Sequence, residues 1–239
     1  MLLRFAAIAS TLLLCSMTVA QEMKEVVDDR GRTLVVPAKP ERIVSLFDGL
    51  ITVPLVEIGA PVVGSIGDID LATGQWRIFG LQDLLDLSPG DIDIQNIGQY
   101  AALDIEAIQA LEPDLIIADE SRGAEIKRLE FIAPVFVQEV YSGAAYGVSP
   151  QKDMAALVGR LDRYNQLEAR YKERVRSIKA RLNGQKSVSA VIVWDQLTPM
   201  WPVNGLTQAL QDLGLELTPI TSGNGSNNIP ISPEAFPQL

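Results

Sequence analysis

A long stretch of apolar residues at helical spacing, residues 149–182, constrains this fold more than any other feature. Ser149 is a favourable N-cap, Pro150 suits a first helical turn, and Asn183 with Gly184 suits a helix end. Between these signals apolar side chains recur every three or four residues, at Met154, Leu157, Leu161, Tyr164, Leu167, Tyr171, Val175, Ile178 and Leu182. We predict one unbroken helix, a rod of roughly 50 Å that joins two halves of the chain and leaves a cleft between them. A coiled-coil seam is the alternative, although the sequence has no second stripe to pair with it.

Residues 1–20 have the composition of a secretory signal peptide. Arg4 precedes an apolar run that ends at Leu14, and small residues lead to a cleavage site predicted after Ala20. The run is shorter than the roughly 20 apolar residues that span a membrane. The only cysteine, Cys15, follows Leu14, which is not the small residue expected of a lipoprotein cleavage site. We therefore expect export to the periplasm without a lipid anchor, and a mature protein without disulfides or thiols.

Charge and composition exclude several classes of function. Residues 21–148 carry 9 Lys and Arg against 22 Asp and Glu, a net of −13, whereas residues 149–182 carry 9 against 4, a net of +5. Such an acidic body argues against nucleic-acid binding, because that binding depends on neutralising phosphates. The chain has no histidine, which excludes His-dependent nucleophilic catalysis and a histidine-based zinc or manganese carrier. A hydrolase with paired carboxylates stays open as the enzymatic alternative, with no motif to support it.

Short apolar strands alternate with helices before residue 149, which is typical of an α/β fold with parallel sheets. Residues 67–100 are rich in Gly, Asp and Pro, and a short helix is expected there near 80–87. The other predicted elements are a hairpin over Val26–Val36, strands at Arg42–Leu46, Val62–Ile66, Leu115–Ala118 and Pro134–Val137, and helices at 50–58, Leu103–Leu111 and Arg122–Phe131.

The same alternation resumes after the long helix, over a shorter length. Its predicted elements are a strand at Val188–Trp194, a helix at Asn204–Leu213, a strand at Leu215–Leu217 and a helix from Ser232. The chain is therefore divided into a signal peptide (1–20), a first α/β lobe (21–148), an interlobe helix (149–182) and a partial second α/β lobe (183–239). A lobe of about 57 residues is near the lower limit for an independent core, so we expect a C-terminally shortened sequence.

Several segments, in a consistent order around the long helix, resemble one family of binding proteins. They are Val27–Thr33, Pro37–Ser45, Leu55–Ala60, Val62–Gly64, Ile97-Gly98, Asp104–Ile108, Leu111–Ile117, Asn204–Gly214 and Ile231–Glu234. Through them the chain resembles the periplasmic binding proteins of ferric-siderophore ABC importers, which are related to those for haem and vitamin B12. The block from Ile97 to Ile117 is the most specific, and the two segments of the second half match more weakly.

The resemblance implies two α/β lobes, an interlobe helix and a ligand held in the cleft between the lobes. It implies a monomeric, non-enzymatic protein that captures a ferric siderophore and delivers it to the permease subunits of an ABC importer. No cofactor and no direct iron ligand are expected. The alternatives are a haem or corrinoid carrier of the same fold, or a shortened chain that folds poorly and carries nothing.

Ligands of open parallel sheets lie beyond the carboxyl ends of the strands, which directs attention to the residues that follow each predicted strand. A bulky chelate with polar groups around shielded iron needs aromatic walls and a few cations or hydroxyls. The candidate ligand-binding residues are Phe47, Asp48, Trp76, Arg77, Tyr100, Arg122, Tyr141, Trp194 and Trp201.

Five of these candidates also have a structural alternative. Arg77 is either a partner of ligand oxygens or an ordinary surface arginine, and Tyr100 is either a wall of the site or a core residue. Trp194 and Trp201 have core packing as their alternative. For Arg122 we favour an ion pair with Asp119 or Glu125 over a ligand contact.

The family docks to its permease through one acidic residue on each lobe. The corresponding positions fall near Val53 and at Thr207-Gln208, and none of these is acidic. Glu57 and Asp48 are the possible substitutes in the first lobe. The acidic surface of that lobe can also steer association.

Overall fold

The computed structural model describes residues 21–140, 148–182, 187–193, 197–199 and 205–218. Within these ranges the strands are β1 (Met23–Val27), β2 (Thr33–Pro37), β3 (Ile43–Ser45), β4 (Val62–Ser65), β5 (Asp68–Ile69), β6 (Trp76–Arg77), β7 (Gln95–Asn96), β8 (Gly98–Gln99), β9 (Ala102–Leu103), β10 (Leu115–Asp119), β11 (Val135–Gln138), β12 (Ser187–Val188), β13 (Val191–Val193), β14 (Leu197–Pro199) and β15 (Glu216–Leu217). The α-helices are α1 (Val53–Glu57), α2 (Leu81–Leu85), α3 (Ile105–Ala110), α4 (Gly123–Leu129), α5 (Val148–Leu157), α6 (Leu161–Lys179) and α7 (Gly205–Asp212). A π-helical turn covers Asp48–Thr52, and 3₁₀ turns cover Pro89–Asp91 and Glu120–Arg122.

A five-stranded parallel sheet forms the centre of the fold, with the strand order β11-β10-β3-β4-β7. The chain passes from β3 outward through β4 to β7, then returns to the other side of β3 and continues outward through β10 to β11. The direction of strand addition therefore reverses between β3 and β10. This is the topological switch point, the place where open α/β sheets bind their ligands. The predicted α/β fold class is confirmed.

Helices cover both faces of this sheet, which explains why β3 and β10 are apolar without alternation. One face packs against α1 and α5 through a core that includes Ile43, Leu55 and Met154. The other face packs against α3 and α4 through a core that includes Ile108 and Leu129. Within the residues that the structure describes, no helix combines the length and the apolar composition needed to cross a bilayer.

The hairpin predicted near the N-terminus is confirmed, because β1 and β2 pair antiparallel. Its turn is organised by the buried Asp28, whose carboxylate accepts hydrogen bonds from Arg32 N (2.8 Å) and Arg32 Nε (2.9 Å). Gly31 lies at φ 74°, a conformation that glycine adopts without a steric cost. Val26 and Leu34 then pack one face of the hairpin against the core of the sheet.

The expectation of one unbroken helix over 149–182 is wrong, because a turn divides α5 from α6. Gly159 has φ 67°, its N–H donates to Ala156 O (3.3 Å), and Arg160 N–H donates to Ala155 O (2.7 Å). This pair of hydrogen bonds is the Schellman motif that ends many helices. A Cβ at Gly159 would lie 2.9 Å from Ala38 O, so the turn also fits closely against the first half of the chain.

The two helices that result differ in burial. Met154, Leu157 and Val158 of the α5 segment are almost fully buried in the core of the sheet. In α6 only Tyr164, near the start, is buried among the residues that the structure describes, and Ile178 is 37% exposed. The apolar stripe therefore contains one segment that packs into the core of the parallel sheet and a second segment that extends away from that core.

Beyond α6 the described residues form small pairings rather than a continuous sheet. The single strand predicted at Val188–Trp194 is wrong, since β12 pairs parallel with β15 whereas β13 pairs antiparallel with β14. The predicted helix α7 is confirmed, and Tyr171 of α6 donates a hydrogen bond to Asp212 Oδ2 of α7 (2.6 Å). The helix predicted from Ser232 lies outside the described residues, and the division into two lobes stays a prediction.

Candidate ligand-binding site

Three predicted site residues meet at the switch point of the parallel sheet. Phe47 follows β3, Arg122 ends the 3₁₀ turn after β10, and Tyr100 lies between β8 and β9. The Phe47 and Tyr100 rings are perpendicular within 5°, at an interplanar angle of 85°, with centroids 6.1 Å apart. The Arg122 guanidinium carbon lies 4.4 Å from the centroid of the Tyr100 ring. Edge-to-face and cation–π contacts of this kind each contribute about 1 kcal/mol.

Arg122 donates hydrogen bonds to three separate segments of the chain at this point. Its Nε donates to Asp119 Oδ2 (3.1 Å), its Nη1 to Tyr100 O (2.5 Å) and its Nη2 to Leu46 O (3.4 Å). Arg122 is 4% exposed and Asp119 is fully buried, so water does not compensate either charge. The predicted ion pair with Asp119 is confirmed. A direct role for Arg122 in ligand binding stays a prediction, and the geometry gives it a supporting position under Tyr100.

The Tyr100 phenol also contacts the 3₁₀ turn that carries Arg122. Its hydroxyl oxygen lies 2.7 Å from Ser121 Oγ. Ser121 in turn donates both its backbone N–H (2.9 Å) and its hydroxyl to Asp119 Oδ1. Tyr100 is nevertheless 42% exposed, so the constrained ring forms part of the surface beyond the strand ends.

A buried hydroxyl cluster, which was not predicted from the sequence, supports the loop that carries Phe47. Thr52 Oγ1 donates to Ser45 Oγ (2.8 Å) and lies 2.6 Å from Ser65 Oγ. Ser45 Oγ donates to Phe47 O (3.2 Å). Ser45 and Ser65 end the adjacent parallel strands β3 and β4, and Thr52 comes back from the π-helical turn between them. A serine as the next-to-last residue of two successive predicted strands, Arg42–Leu46 and Val62–Ile66, is the signal that was available.

Asp48 lies at the rim of the site, half-buried, with both carboxylate oxygens engaged by the backbone. Gly49 N–H donates to Oδ1 (2.7 Å) and Phe79 N–H donates to Oδ2 (3.1 Å). Burial raises the pKa of the Asp48 carboxyl above its ordinary value, and the charge of Asp68 raises it further. The two N–H groups act in the opposite direction, because they stabilise the ionised form.

Trp76 and Arg77 form β6, which pairs antiparallel with β5 at the edge of the same region. Trp76 is half-buried and packs against the core, where its Nε1 has no hydrogen-bond partner among the described residues. A Cβ at Gly67 would lie 2.5 Å from that nitrogen, so the close approach of the indole requires glycine there. Arg77 is exposed. Ligand contacts by Trp76 and Arg77 stay predictions.

The other predicted site residues lie elsewhere or outside the structure. Tyr141, Trp194 and Trp201 lie outside the described residues. Val53 and Thr207, near which the docking positions fall, are buried, whereas Glu57 is exposed at the end of α1. Among the residues that the structure describes, no group of three carboxylate or thiol side chains is placed to hold a metal ion.

A groove of about 1530 Å³ begins beside the Phe47 loop and runs between α1 and α6. Its lining includes Leu50 and Pro54 from the first half of the chain, Leu167 and Arg174 from α6, and Gly205 at the start of α7. The groove lies between the first half of the chain and α6, with Gly205 at its margin, and the predicted cleft between two lobes stays a prediction.

Comparison with known proteins gives a family match and a similar sequence. The model of a family described as periplasmic binding protein matches residues 70–238, which is more than half of the chain. The chain is 29% identical over 207 residues to the "Probable siderophore-binding lipoprotein YfiY" of Bacillus subtilis (strain 168). That alignment covers 80% of this chain and 58% of the relative, so the chain spans less than two thirds of that protein's length.

Solved structures share the fold at low sequence identity. Holo-ViuP superposes with a TM-score of 0.70 at 19% identity, covering 90% of this chain and 74% of ViuP. SirA of Staphylococcus aureus, complexed with staphyloferrin B, superposes with a TM-score of 0.61 at 23% identity, covering 82% of this chain and 64% of SirA. At these identities the likeness concerns the fold alone.

Proposed function

Because this chain belongs to the periplasmic binding protein family, we propose that it captures a ferric siderophore and delivers it to the permease of an ABC importer. The family consists of substrate-binding transport proteins rather than enzymes. The relative in Bacillus subtilis is named as siderophore-binding, and SirA is complexed with staphyloferrin B. Both names support a ferric chelate as the ligand of this chain.

The observation that carries the proposal is the aromatic and cationic cluster at the switch point. Phe47 and Tyr100 offer ring surface beyond the strand ends, over a buried cation at Arg122. Large apolar rings with a few fixed polar groups suit a bulky chelate whose iron is already fully coordinated. We propose that Asp48, Trp76, Arg77, Tyr141, Trp194 and Trp201 extend this surface, and that Arg122 supports it from below.

The proposal includes a location and an arrangement. Residues 1–20 direct export to the periplasm, residues 21–148 and 183–239 form two lobes around the cleft, and the chain acts as a monomer. The exposed Glu57 on α1 is the proposed contact of the first lobe with the permease. Iron enters and leaves as part of the ligand, and no resident cofactor is proposed.

Titration of the intrinsic tryptophan fluorescence tests this function. The probes are a ferric hydroxamate, a ferric catecholate, ferric citrate, haem and a corrinoid, each added to the purified chain. Saturable quenching by one of the ferric chelates is expected, because Trp76 lies beside the site and ferric chelates absorb in the range of indole emission. Quenching by haem or the corrinoid alone would move the proposal to that ligand class, and no response to any probe would overturn it.

A further inference from the structure

Three arginines line the α6 side of the groove between α1 and α6, and they are Arg170, Arg174 and Arg181. Arg170 and Arg174 lie on α6, whereas Arg181 lies in the turn after it, where its N–H donates to Ile178 O (2.9 Å). Together with Ser177, which also lines the groove, they are spaced by four, three and four residues and therefore share one helix face. These three arginines, called the arginine stripe below, extend over about 16 Å along the helix axis.

The charges of the arginine stripe have no counterion within the described part of the chain. All three side chains are exposed, and none forms an ion pair or a side-chain hydrogen bond with a residue that the structure describes. The acids of α6 that line the same groove differ in this respect, because Glu168 pairs with Lys172 (2.8 Å) and Glu173 pairs with Arg176. The α6 side of the groove therefore presents positive charge that is free to bind an anion.

The facing wall of the groove is mainly apolar. Leu50, Pro54 and Ile58 recur every four residues along the π-helical turn, α1 and the residue after it, and Leu84 of α2 extends this wall. Among the described residues that line the wall, only Glu57 is charged. A ligand in the groove therefore meets apolar side chains on one side and three cations on the other.

We infer that this groove selects a ferric chelate with free carboxylates, which the arginine stripe binds through charge-assisted hydrogen bonds. The inference rests on the proposed function and names the ligand class. Gly49 and Leu50, which line the groove, directly follow Phe47 and Asp48, so the groove continues the site at the switch point. Its volume of about 1530 Å³ exceeds the roughly 300–1,000 Å³ of sites for drug-sized ligands, which leaves room for a bulky chelate.

The charge of the first half makes the arginine stripe necessary for such a ligand. Residues 21–148 carry a net charge of −13, which repels an anionic chelate. The unpaired arginines supply the local positive charge that offsets this repulsion. A neutral chelate gains nothing from them.

A matched pair of ligands measures this selectivity. One is a ferric chelate of citrate with two hydroxamate arms, each of which carries a free carboxylate, and the other is the same chelate with those two carboxylates converted to amides. Both coordinate the iron through the same atoms. Isothermal titration calorimetry at about 0.1 M salt should show about tenfold tighter binding of the carboxylate form to the wild type, since each exposed ion pair contributes about twofold. The ratio should fall as salt is added, because salt screens exposed charges.

Substitutions assign the ratio to the arginine stripe. Arg170→Gln with Arg174→Gln should lower it to about twofold, and adding Arg181→Gln should bring it to about one. Lys127→Gln with Arg128→Gln is the matched control and should leave the ratio unchanged. These two residues are also exposed cations without a partner among the described residues, but they lie on α4, which covers the other face of the sheet.

Two further variants sharpen the assignment. Glu57→Gln should raise the ratio by about twofold, because it removes the charged side chain of the apolar wall. The triple arginine variant should keep the urea midpoint of the wild type, since the arginines have no partner to lose. A lower midpoint with an unchanged ratio would mean that the arginines stabilise the fold and do not select the ligand.

The remaining outcomes separate this inference from the proposed function. A wild-type ratio near one, with both chelates bound, overturns the inference and leaves the proposed function intact. A tenfold ratio that persists in the triple variant places the carboxylates outside the groove and also overturns it. Binding of neither chelate overturns it as well, and a neutral ferric tris-hydroxamate then decides the other claim. Saturable binding of that probe keeps the proposed function, whereas no response to any ferric chelate, haem or corrinoid overturns both.

Discussion

The two sides of the switch point are held by different chemistry. Under Phe47 the support is neutral, a cluster of three buried hydroxyls at Ser45, Thr52 and Ser65. Under Tyr100 the support is an ion pair between the buried side chains of Asp119 and Arg122. A neutral hydrogen bond that is lost leaves a modest desolvation cost, whereas a buried charge that loses its partner is strongly unfavourable. The Tyr100 side should therefore be more sensitive to substitution than the Phe47 side.

Arg122→Met should have the largest effect on stability. It leaves the fully buried Asp119 carboxylate without its cation, which costs about 3–5 kcal/mol in the free energy of unfolding. Urea denaturation followed by circular dichroism measures the loss. The double variant Asp119→Asn with Arg122→Met should recover part of it, and a loss below about 1 kcal/mol in the single variant would contradict the comparison.

Thr52→Val should have a smaller effect on the neutral side. The substitution keeps the shape of the side chain but leaves Ser45 and Ser65 without the hydroxyl between them, at a cost of about 1–3 kcal/mol. Thr33→Val, at an exposed position of β2, is the matched control and should change stability by less than about 0.5 kcal/mol. Equal effects of the two variants would argue against a supporting role for the hydroxyl cluster.

Leucine substitutions compare the two rings in ligand binding. Tyr100→Leu should weaken binding of the chelate identified by fluorescence titration about tenfold, and Phe47→Leu about threefold. The larger effect is expected at Tyr100 because its side chain combines a ring face with a polar hydroxyl. Phe131→Leu is the control, since Phe131 is 92% exposed and lies after α4, at the opposite end of the sheet from the site. Similar weakening in Phe131→Leu would mean that the ligand does not lie at the switch point.

The smallest expected effect is a pH dependence of the free energy of unfolding, which comes from Asp48. Its pKa is raised in the folded protein, mainly by burial, so folding favours the protonated form. The stabilising contribution is fully present below the unfolded pKa near 4 and is lost as the pH rises through the folded value. The stability of the wild type relative to Asp48→Asn should therefore fall as the pH rises from about 3 to 7. Urea denaturation across that range measures the difference, and a rise would contradict it.

The apolar strands of the first half could be predicted because their signal is local. Leu115–Ala118 and Val62–Ile66 are short runs that each follow a predicted helix, and both lie in the parallel sheet as expected. The strand β7 was missed because Gln95 and Asn96 are polar and exposed at the sheet edge. Two residues that only complete a hydrogen-bonded edge leave no hydrophobic pattern.

The sequence predicted that Phe47 and Arg122 follow strand ends, but it did not predict the contacts of the cluster they form with Tyr100. The ion pair of Arg122 with Asp119 was one of two predicted alternatives, the other being Glu125, and the structure shows the pair with Asp119. The stacking of Arg122 on Tyr100 joins positions 22 residues apart, and the hydroxyl of Ser121 links both to one carboxylate. Such contacts depend on how loops meet in space, which neither periodicity nor spacing encodes.

The glycine that ends α5 has a consequence for the molecule as a whole. The spacing of apolar residues and the capping signals predicted one rod over 149–182, yet the longest helix among the described residues is α6, which at 19 residues is about 28 Å long. The chain turns between α5 and α6 at Gly159, whose φ of 67° a residue with a side chain adopts only at an energetic cost. A side chain at position 159 would also bring a Cβ to 2.9 Å from Ala38 O, so the junction of the two helices tolerates only the smallest residue.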